Sequence, residues 1–188
     1  MVKVDSYAIQ RLALCIAEST GRITTISDLR ERARITDQRT VDKYLDLLLD
    51  NMLFFRVDVV DISNGWRRGI KAKYYGIDIR SGKRIFKRGY VKLDQQHVIE
   101  NIVYLELRRR GYKVSAGRFR RTDIGFVLEK DGRVEFLRLI TSPDEDREEV
   151  KRAFNAMRGA KTVLTIDRGI NGVRGDTVFK NVISFLLE

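Results

Sequence analysis

The most constraining feature of this sequence is an abrupt change of hydrophobic period near residue 52. Before this point, Val41, Leu45, Leu48 and Met52 recur every three to four residues, as on one buried face of a helix. After it, MLFFRVDVVDI and KAKYYGIDI have the composition of β-strands, and SNGW between them is typical of a turn. The pattern therefore predicts a helix followed directly by a β-hairpin.

Two shorter helices are predicted ahead of this one, over 4–18 and over 26–33, the second capped by Thr24 or Thr25. The third is predicted over 37–51, with Thr36 as its cap and Asp37 favourable at its positive end. Three helices with a tight turn before the third, followed by a hairpin, indicate a winged helix-turn-helix over residues 1–80.

The second half of the chain repeats the change from helix to strands. An apolar helix is predicted from residue 95 to a stop at Gly111, and its cationic last turn suits the helix dipole. Strands are predicted at 112–116, 123–129, 133–141 and 161–166, with an acid-rich helix after Pro143 and a closing apolar element at 181–187. We therefore expect an α+β chain, in which a basic connection over 81–94 joins the first domain to an α/β domain with a mixed sheet over 95–188.

The charge of the chain favours a polyanionic partner, with nucleic acid first. The 188 residues carry 37 Lys and Arg against 26 Asp and Glu, a net charge of +11. Residues 66–92 hold ten Lys and Arg against the single acid Asp78, and residues 108–121 hold seven with no acid. A merely solvated surface would interleave both signs, so these two clusters predict electrostatic binding.

A winged helix-turn-helix places the start of its third helix in the major groove of DNA. Its candidate contacts to bases and phosphates are Gln38, Arg39, Thr40 and Lys43. Candidates for phosphate contacts from the wing are Arg67, Arg68, Lys71 and Lys73, with Arg84, Lys87 and Arg88 extending the surface. Asp42 and Asp46 on the third helix would repel DNA, and Trp66 at the wing tip either stacks on a base or packs internally.

Several classes of chemistry are excluded because the sequence lacks the residues or motifs that they require. Cys15 is the only cysteine and His97 the only histidine, so a disulfide, a Cys/His zinc site and a Ser-His-Asp triad are excluded. No P-loop or dinucleotide fingerprint is present. We expect no metal or other cofactor. Without an apolar run of about 20 residues or a secretory signal, we expect a cytoplasmic protein without a membrane partner.

Three stretches carry a resemblance to a known family. They are TVDKYLDLLLDNMLFFRV at 40–57, KYYGID at 73–78 and HVIENIVYLELRRRGY at 97–112. Together they resemble the C-terminal domain of unknown function that follows the P-loop core in archaeal and bacterial AAA-type ATPases. The resemblance covers nearly the whole chain, from about Tyr7 to Leu187, and implies an ATPase domain or subunit as a possible partner.

The resemblance also implies a restriction-endonuclease-like fold for the second half. Active members of that fold hold Mg²⁺ with a helix Glu, a strand Asp and a Glu-x-Lys pair on the next strand. Here Glu100 matches the helix acid, Gly125 stands where the Asp is expected with Asp123 two residues earlier, and Arg138 and Ile140 replace Glu and Lys. Glu135 cannot substitute, because alternation along a strand directs it to the opposite face. The resemblance therefore implies a degenerate nuclease domain without enzymatic activity, in which Arg138 pairs with an acid.

Three functions follow as hypotheses. The first is a non-catalytic DNA-binding module. The second is a protein-interaction or regulatory domain of an ATPase with little DNA affinity, and the third is a metal-dependent nuclease using Glu100 and Asp123. The DNA sequence preferred, the biological process and the oligomeric state are left open by the sequence.

Overall fold

The computed structural model describes residues 5–63, 65–77, 95–142, 148–167 and 169–188, without the side chain of Arg67. These residues form α1 (Ser6–Glu18), α2 (Ile26–Arg32), α3 (Gln38–Asp50), β1 (Phe54–Asp61), β2 (Arg67–Gly76), α4 (Gln95–Arg109), β3 (Lys113–Phe119), β4 (Thr122–Lys130), β5 (Arg133–Ile140), α5 (Glu148–Asn155), β6 (Ala160–Thr165), β7 (Gly172–Arg174), β8 (Thr177–Asn181) and α6 (Val182–Leu187). The chain is thus α+β, as expected, with one mixed sheet in the order β2-β1-β3-β4-β5-β6-β8-β7.

Contacts between Cα atoms divide the chain into two compact units. The first unit comprises Met1–Asp58 and Ile70–Asn101, and the second comprises Val59–Gly69 and Ile102–Glu188. The tip of the β1–β2 hairpin thus belongs to the second unit and the start of α4 to the first. None of the helices that the structure describes is long and apolar enough to cross a lipid bilayer.

Side-chain caps determine where the helices of the first unit begin. Thr25 and Asp28 form a capping box at α2, in which each side chain accepts a backbone N–H of the other residue. At α3 the cap is Asp37, whose carboxylate accepts the backbone N–H of Thr40 at 3.0 Å. The prediction of Thr36 as the cap is therefore wrong by one residue.

The core of the first unit lies among its three helices and the base of the hairpin. Leu12, Ile16, Leu29 and Val41 are fully buried there. The predicted stripe of α3 is confirmed at Val41, Leu45 and Leu48 but not at Met52, which is 62% exposed. Met52 has a φ of +55° just beyond the helix end, and this left-handed turn directs it away from the helix stripe.

A short antiparallel bridge connects the helices of the first unit to β2. Thr24 and Ala72 exchange backbone hydrogen bonds of 2.9 and 3.0 Å. Nearby, the N–H of Gly21 donates to the carbonyl of Tyr74 at 3.2 Å. The segment between α1 and α2 therefore pairs with β2 through a one-residue antiparallel bridge, beside the two strands of the hairpin.

The second unit is built on the remaining strands. β3, β4 and β5 are antiparallel neighbours, while β5, β6 and β8 are parallel and β1 ends parallel to β3. Helix α5 makes the crossover from β5 to β6, and Ala153, Phe154 and Met157 pack near Val127 and Phe136 of the sheet. The predicted strands of this half are confirmed in order, with boundaries shifted by up to three residues.

Two strands of the second unit escaped the sequence analysis. β7 has three exposed residues, and β8 begins after a turn at Gly175 with a φ of +62°. Short, half-exposed strands carry no hydrophobic run, so their pattern is weak. The predicted helix opening at Asp144, Glu145 and Asp146 falls on residues outside the described ranges, and α5 begins at Glu148.

Candidate nucleic-acid interface

The exposed end of α3 presents the predicted base and phosphate contacts. Gln38, Arg39 and Lys43 are exposed on its first two turns. Thr40 is half-buried, and its hydroxyl donates to the Asp37 carboxylate at 2.9 Å. This hydrogen bond, together with the backbone N–H bonds of the cap, lowers the pKa of Asp37 below its usual value. Thr40 therefore holds the helix cap, while the other three side chains face solvent.

Charges on the exposed face of α3 are separated along the helix. Arg39 and Lys43 lie at its amino-terminal end, and Asp46 and Asp50 follow on the same face one and two turns later. Asp42, the other acid, is half-buried. The exposed charges of the first two turns are therefore those of Arg39 and Lys43, beside the carboxylate of the capping Asp37.

The predicted contacts of the hairpin separate into exposed and buried groups. Arg68 is exposed on β2, and Lys71 is half-buried. The side chain of Arg67 lies outside what the structure describes, as do Arg84, Lys87 and Arg88 entirely. Lys73 is only 3% exposed. It does not meet the requirement for a phosphate contact, because its ammonium group is enclosed.

Lys73 instead belongs to a buried hydrogen-bonded cluster around Glu100. Its Nζ atom donates to Oε1 of Glu100 at 3.0 Å, and the hydroxyl of the fully buried Tyr75 donates to the same oxygen at 2.6 Å. Gly21 passes close by, and a Cβ atom there would lie 3.0 Å from Cδ2 of His97 and 3.5 Å from Oε1 of Glu100. The cluster ties α4 to β2 and to the turn after α1.

This arrangement gives the Glu100 carboxylate a cationic and a phenolic partner. A buried carboxylate bonded to an ammonium and a phenol has its charge compensated. Adjacent Asn101 continues the attachment, since its side-chain amide exchanges two 2.9 Å bonds with the backbone of Gly76. Glu100 thus serves the packing of α4 on β2.

Asp123 and Gly125, which the resemblance relates to a metal-binding strand, have other contacts in the structure. Asp123 is exposed, and its carboxylate accepts the backbone N–H of Gly125 at 3.0 Å. Gly125 has a φ of +97°, and a Cβ atom there would lie 2.4 Å from the carbonyl oxygen of Leu137. An aspartate therefore cannot occupy position 125 without movement of the backbone.

The two positions on β5 differ in environment. Arg138 is 5% exposed, and Ile140 lines a cavity of about 540 Å³ with Thr141, Thr165 and Phe179 near the carboxyl ends of β5 and β6. No group of three or more His, Cys, Asp or Glu side chains suited to a metal ion occurs among the described residues.

The basic run at 108–121 is partly neutralised by an acid that the sequence analysis overlooked. Glu106 accepts from Arg109 at 2.7 Å and from Arg110 at 2.6 Å. Hydrogen bonds from these two guanidinium groups lower the pKa of Glu106 to about 2. The spacings of three and four residues along a helix are the signal that would have revealed these pairs. Arg118, Arg120 and Arg121, farther along the run, are exposed or half-buried around the β3–β4 turn.

Comparison with known proteins finds a relative that matches most of the chain. The chain is 27% identical over 164 residues to an uncharacterized protein of Haemophilus influenzae. The match covers 85% of this chain and 40% of that relative, so the chain spans less than half of the relative's length. No family model matches the sequence, and no solved structure matches the fold.

Proposed function

We propose that the first unit is a winged helix-turn-helix that binds duplex DNA, with the amino-terminal end of α3 in the major groove. The observation that carries this proposal is the exposed group of Gln38, Arg39 and Lys43 at the start of the second helix of a two-helix turn. Gln and Arg side chains are suited to base edges, and Lys to phosphates. The bridge between Thr24 and Ala72 supports the winged arrangement, because it pairs the segment between α1 and α2 with the hairpin.

The second part of the proposal is that the module is non-enzymatic. The positions expected to hold a metal are taken by the ion pair of Glu100 and by the glycine at 125, where a side chain would overlap the backbone. Arg138 places a cation where a carboxylate would be needed. These residues support a domain that binds without cutting.

The third part concerns the larger protein in which such a chain works. We propose that it corresponds to the region after the P-loop core of an AAA-type ATPase, on the strength of the stretches at 40–57, 73–78 and 97–112. More than half of the Haemophilus relative lies outside the match, which leaves room there for further domains.

The test is the affinity of the chain for a labelled random duplex, measured by fluorescence anisotropy across a salt series. If six phosphates are neutralised, log affinity falls against log salt with a slope of about −5, or ~0.9 per contact. Arg39→Gln and Lys43→Gln are each expected to weaken binding to every duplex and to reduce the slope by about 0.9. The same duplex incubated with Mg²⁺ should stay intact.

Arg56→Gln is the matched control in the first unit. Arg56 is exposed on β1, its Nε atom lies 3.2 Å from the Asp58 carboxylate, and its loss changes the net charge equally. A flat salt response, or an equal loss of affinity in all three variants, would contradict the α3 interface and redirect attention to a protein partner. Cleavage with Mg²⁺ that Asp123→Asn abolishes while the fold is retained would restore the nuclease hypothesis.

A further inference from the structure

The tip of the β1–β2 hairpin and the β3–β4 turn lie side by side in the second unit. The N–H of Ile62 donates to the carbonyl of Arg118 at 2.8 Å, and the N–H of Arg120 donates to Oγ of Ser63 at 3.0 Å. These bonds continue the parallel pairing that ends with Asp61 opposite Arg118. Two turns that are 57 residues apart in sequence thus form one surface, which we call the paired-turn surface.

The paired-turn surface carries more arginines than acids. Arg68 follows the hairpin tip and is exposed, as are Arg120 and Arg121 of the other turn, and Arg118 is half-exposed. Asp61 accepts from Ser63, Asp123 accepts from the backbone of Gly125, and the exposed Glu149 accepts from the Thr122 hydroxyl at 2.7 Å. These donors are uncharged, so the three acids keep their charge and the four arginines exceed them by one.

Trp66 adds an aromatic ring to this surface. It is 46% exposed, and its ring is tilted against Phe136 with centroids 6.2 Å apart. Trp66 is the third residue after Ser63, so chain geometry keeps their two Cα atoms within about 11 Å of each other. Its φ of +63° is rare for a bulky residue, and such strain is retained where surrounding structure imposes it. A large ring held partly in solvent, on a segment tied to an arginine-bearing turn, has the elements of a stacking platform.

We propose that the paired-turn surface binds single-stranded nucleic acid, with an unpaired base stacked on Trp66 and the neighbouring phosphates on Arg68, Arg120 and Arg121. A duplex is a poorer occupant, because its bases are covered on both faces by their neighbours. The site goes beyond the proposed duplex contact of α3, and either one can fail without the other.

Trp66 is the only tryptophan of the chain, so its emission reports directly on this site. Titration with (dT)12 at low salt is expected to quench the emission saturably, whereas a 12-base-pair duplex at equal concentration leaves it nearly unchanged. A parallel titration with (U)12 shows whether DNA or RNA is preferred. Saturable quenching by either single strand supports the proposal.

Variants with matched charge separate a specific site from general attraction. Arg120→Gln with Arg121→Gln is expected to weaken (dT)12 binding about fivefold or more and to reduce the salt slope by about 1.4, at ~0.7 per lost single-strand contact. The control pair, Arg133→Gln with Arg158→Gln, removes two exposed cations near the opposite end of β4 and β5 and should leave both quantities nearly unchanged.

Trp66→Ala, followed by anisotropy of labelled (dT)12, is expected to weaken binding about tenfold, and Trp66→Phe should retain most of the affinity. The inference is overturned by quenching that is equal with duplex, by no saturable quenching, or by equal losses in the two arginine pairs. Quenching by poly-glutamate as strong as by (dT)12 would also overturn it, since the surface would then favour acidic protein. Arg39→Gln should not alter (dT)12 quenching, and this result distinguishes failure here from failure of the α3 proposal.

Discussion

Neutralising Glu100 tests whether the buried cluster is a structural element. In Glu100→Gln, the ammonium of Lys73 would remain enclosed beside an uncharged amide, and Tyr75 would donate to an amide oxygen. Removing one partner of a buried pair typically costs about 3–5 kcal/mol, because the remaining charge is uncompensated. The Lys73 side chain is 3% exposed and that of Glu100 is 12% exposed, so solvent offers little relief. We expect the free energy of unfolding to fall by about 3 kcal/mol.

Urea unfolding followed by far-ultraviolet circular dichroism measures this change. With a slope near 2 kcal/mol per molar urea, a loss of about 3 kcal/mol moves the midpoint by about 1.5 M. Lys73→Met alone should cost a similar amount. The double variant, Glu100→Gln with Lys73→Met, leaves no buried charge in the pair. Its loss of unfolding free energy should therefore be about 2 kcal/mol smaller than the sum of the two single losses.

Two outcomes would refute this reasoning. A midpoint shift below about 0.3 M in Glu100→Gln would show that the charge of the pair is not needed for stability. Strictly additive losses in the double variant would show that Lys73 and Glu100 act independently. In either case Glu100 would again be a candidate for a functional carboxylate.

Two further predictions concern the second unit. Gly125→Ala is expected to lower the free energy of unfolding by about 2–4 kcal/mol, because a Cβ atom would overlap the Leu137 carbonyl. Gly132→Ala is the control: Gly132 also has a positive φ but faces open space, so this substitution should cost about 1 kcal/mol. Equal costs of the two substitutions in urea unfolding would argue against the close contact at Gly125. Glu106→Gln should destabilise the chain by on the order of 1 kcal/mol at pH 7. Because the folded pKa of Glu106 is depressed to about 2, its contribution is complete above its ordinary pKa of 4.5 and is lost as the pH falls towards 2. Wild type and variant should therefore converge in stability at acidic pH, and a difference that persists at pH 2 would contradict this assignment.

The helices show what can be predicted from residues close together in sequence. The spacing of Val41, Leu45 and Leu48 predicts which face of α3 is buried, and it places Arg39 and Lys43 on the exposed side. Helix periodicity is a property of neighbouring residues, so the sequence is sufficient for it. Caps differ by single residues, because Thr36 and Asp37 are both good acceptors and only the backbone geometry chooses between them.

Lys73 shows where local pattern fails. In the strand KAKYY, alternation sets Lys73 on the same face as Tyr75, and Ala72 with Tyr74 on the other. The sequence does not reveal that both faces are covered. Ala72 and Tyr74 pack on the core of the first unit, while Lys73 and Tyr75 meet Glu100 from α4, more than 20 residues away. From the sequence, a lysine in a hairpin is a reasonable candidate for a phosphate contact. Only the fold shows that Lys73 is paired with the carboxylate of Glu100.

The sequence by itself determined the order of most helices and strands, the excess of positive charge and the absence of the residue sets needed for several kinds of catalysis. These depend on residue type and on spacings of a few residues. Tertiary structure decided which charges are available to a partner. It enclosed Lys73 and Arg138, fixed Gly125 against Leu137, and joined two distant turns into the paired-turn surface, because burial and pairing depend on contacts between residues far apart in the chain.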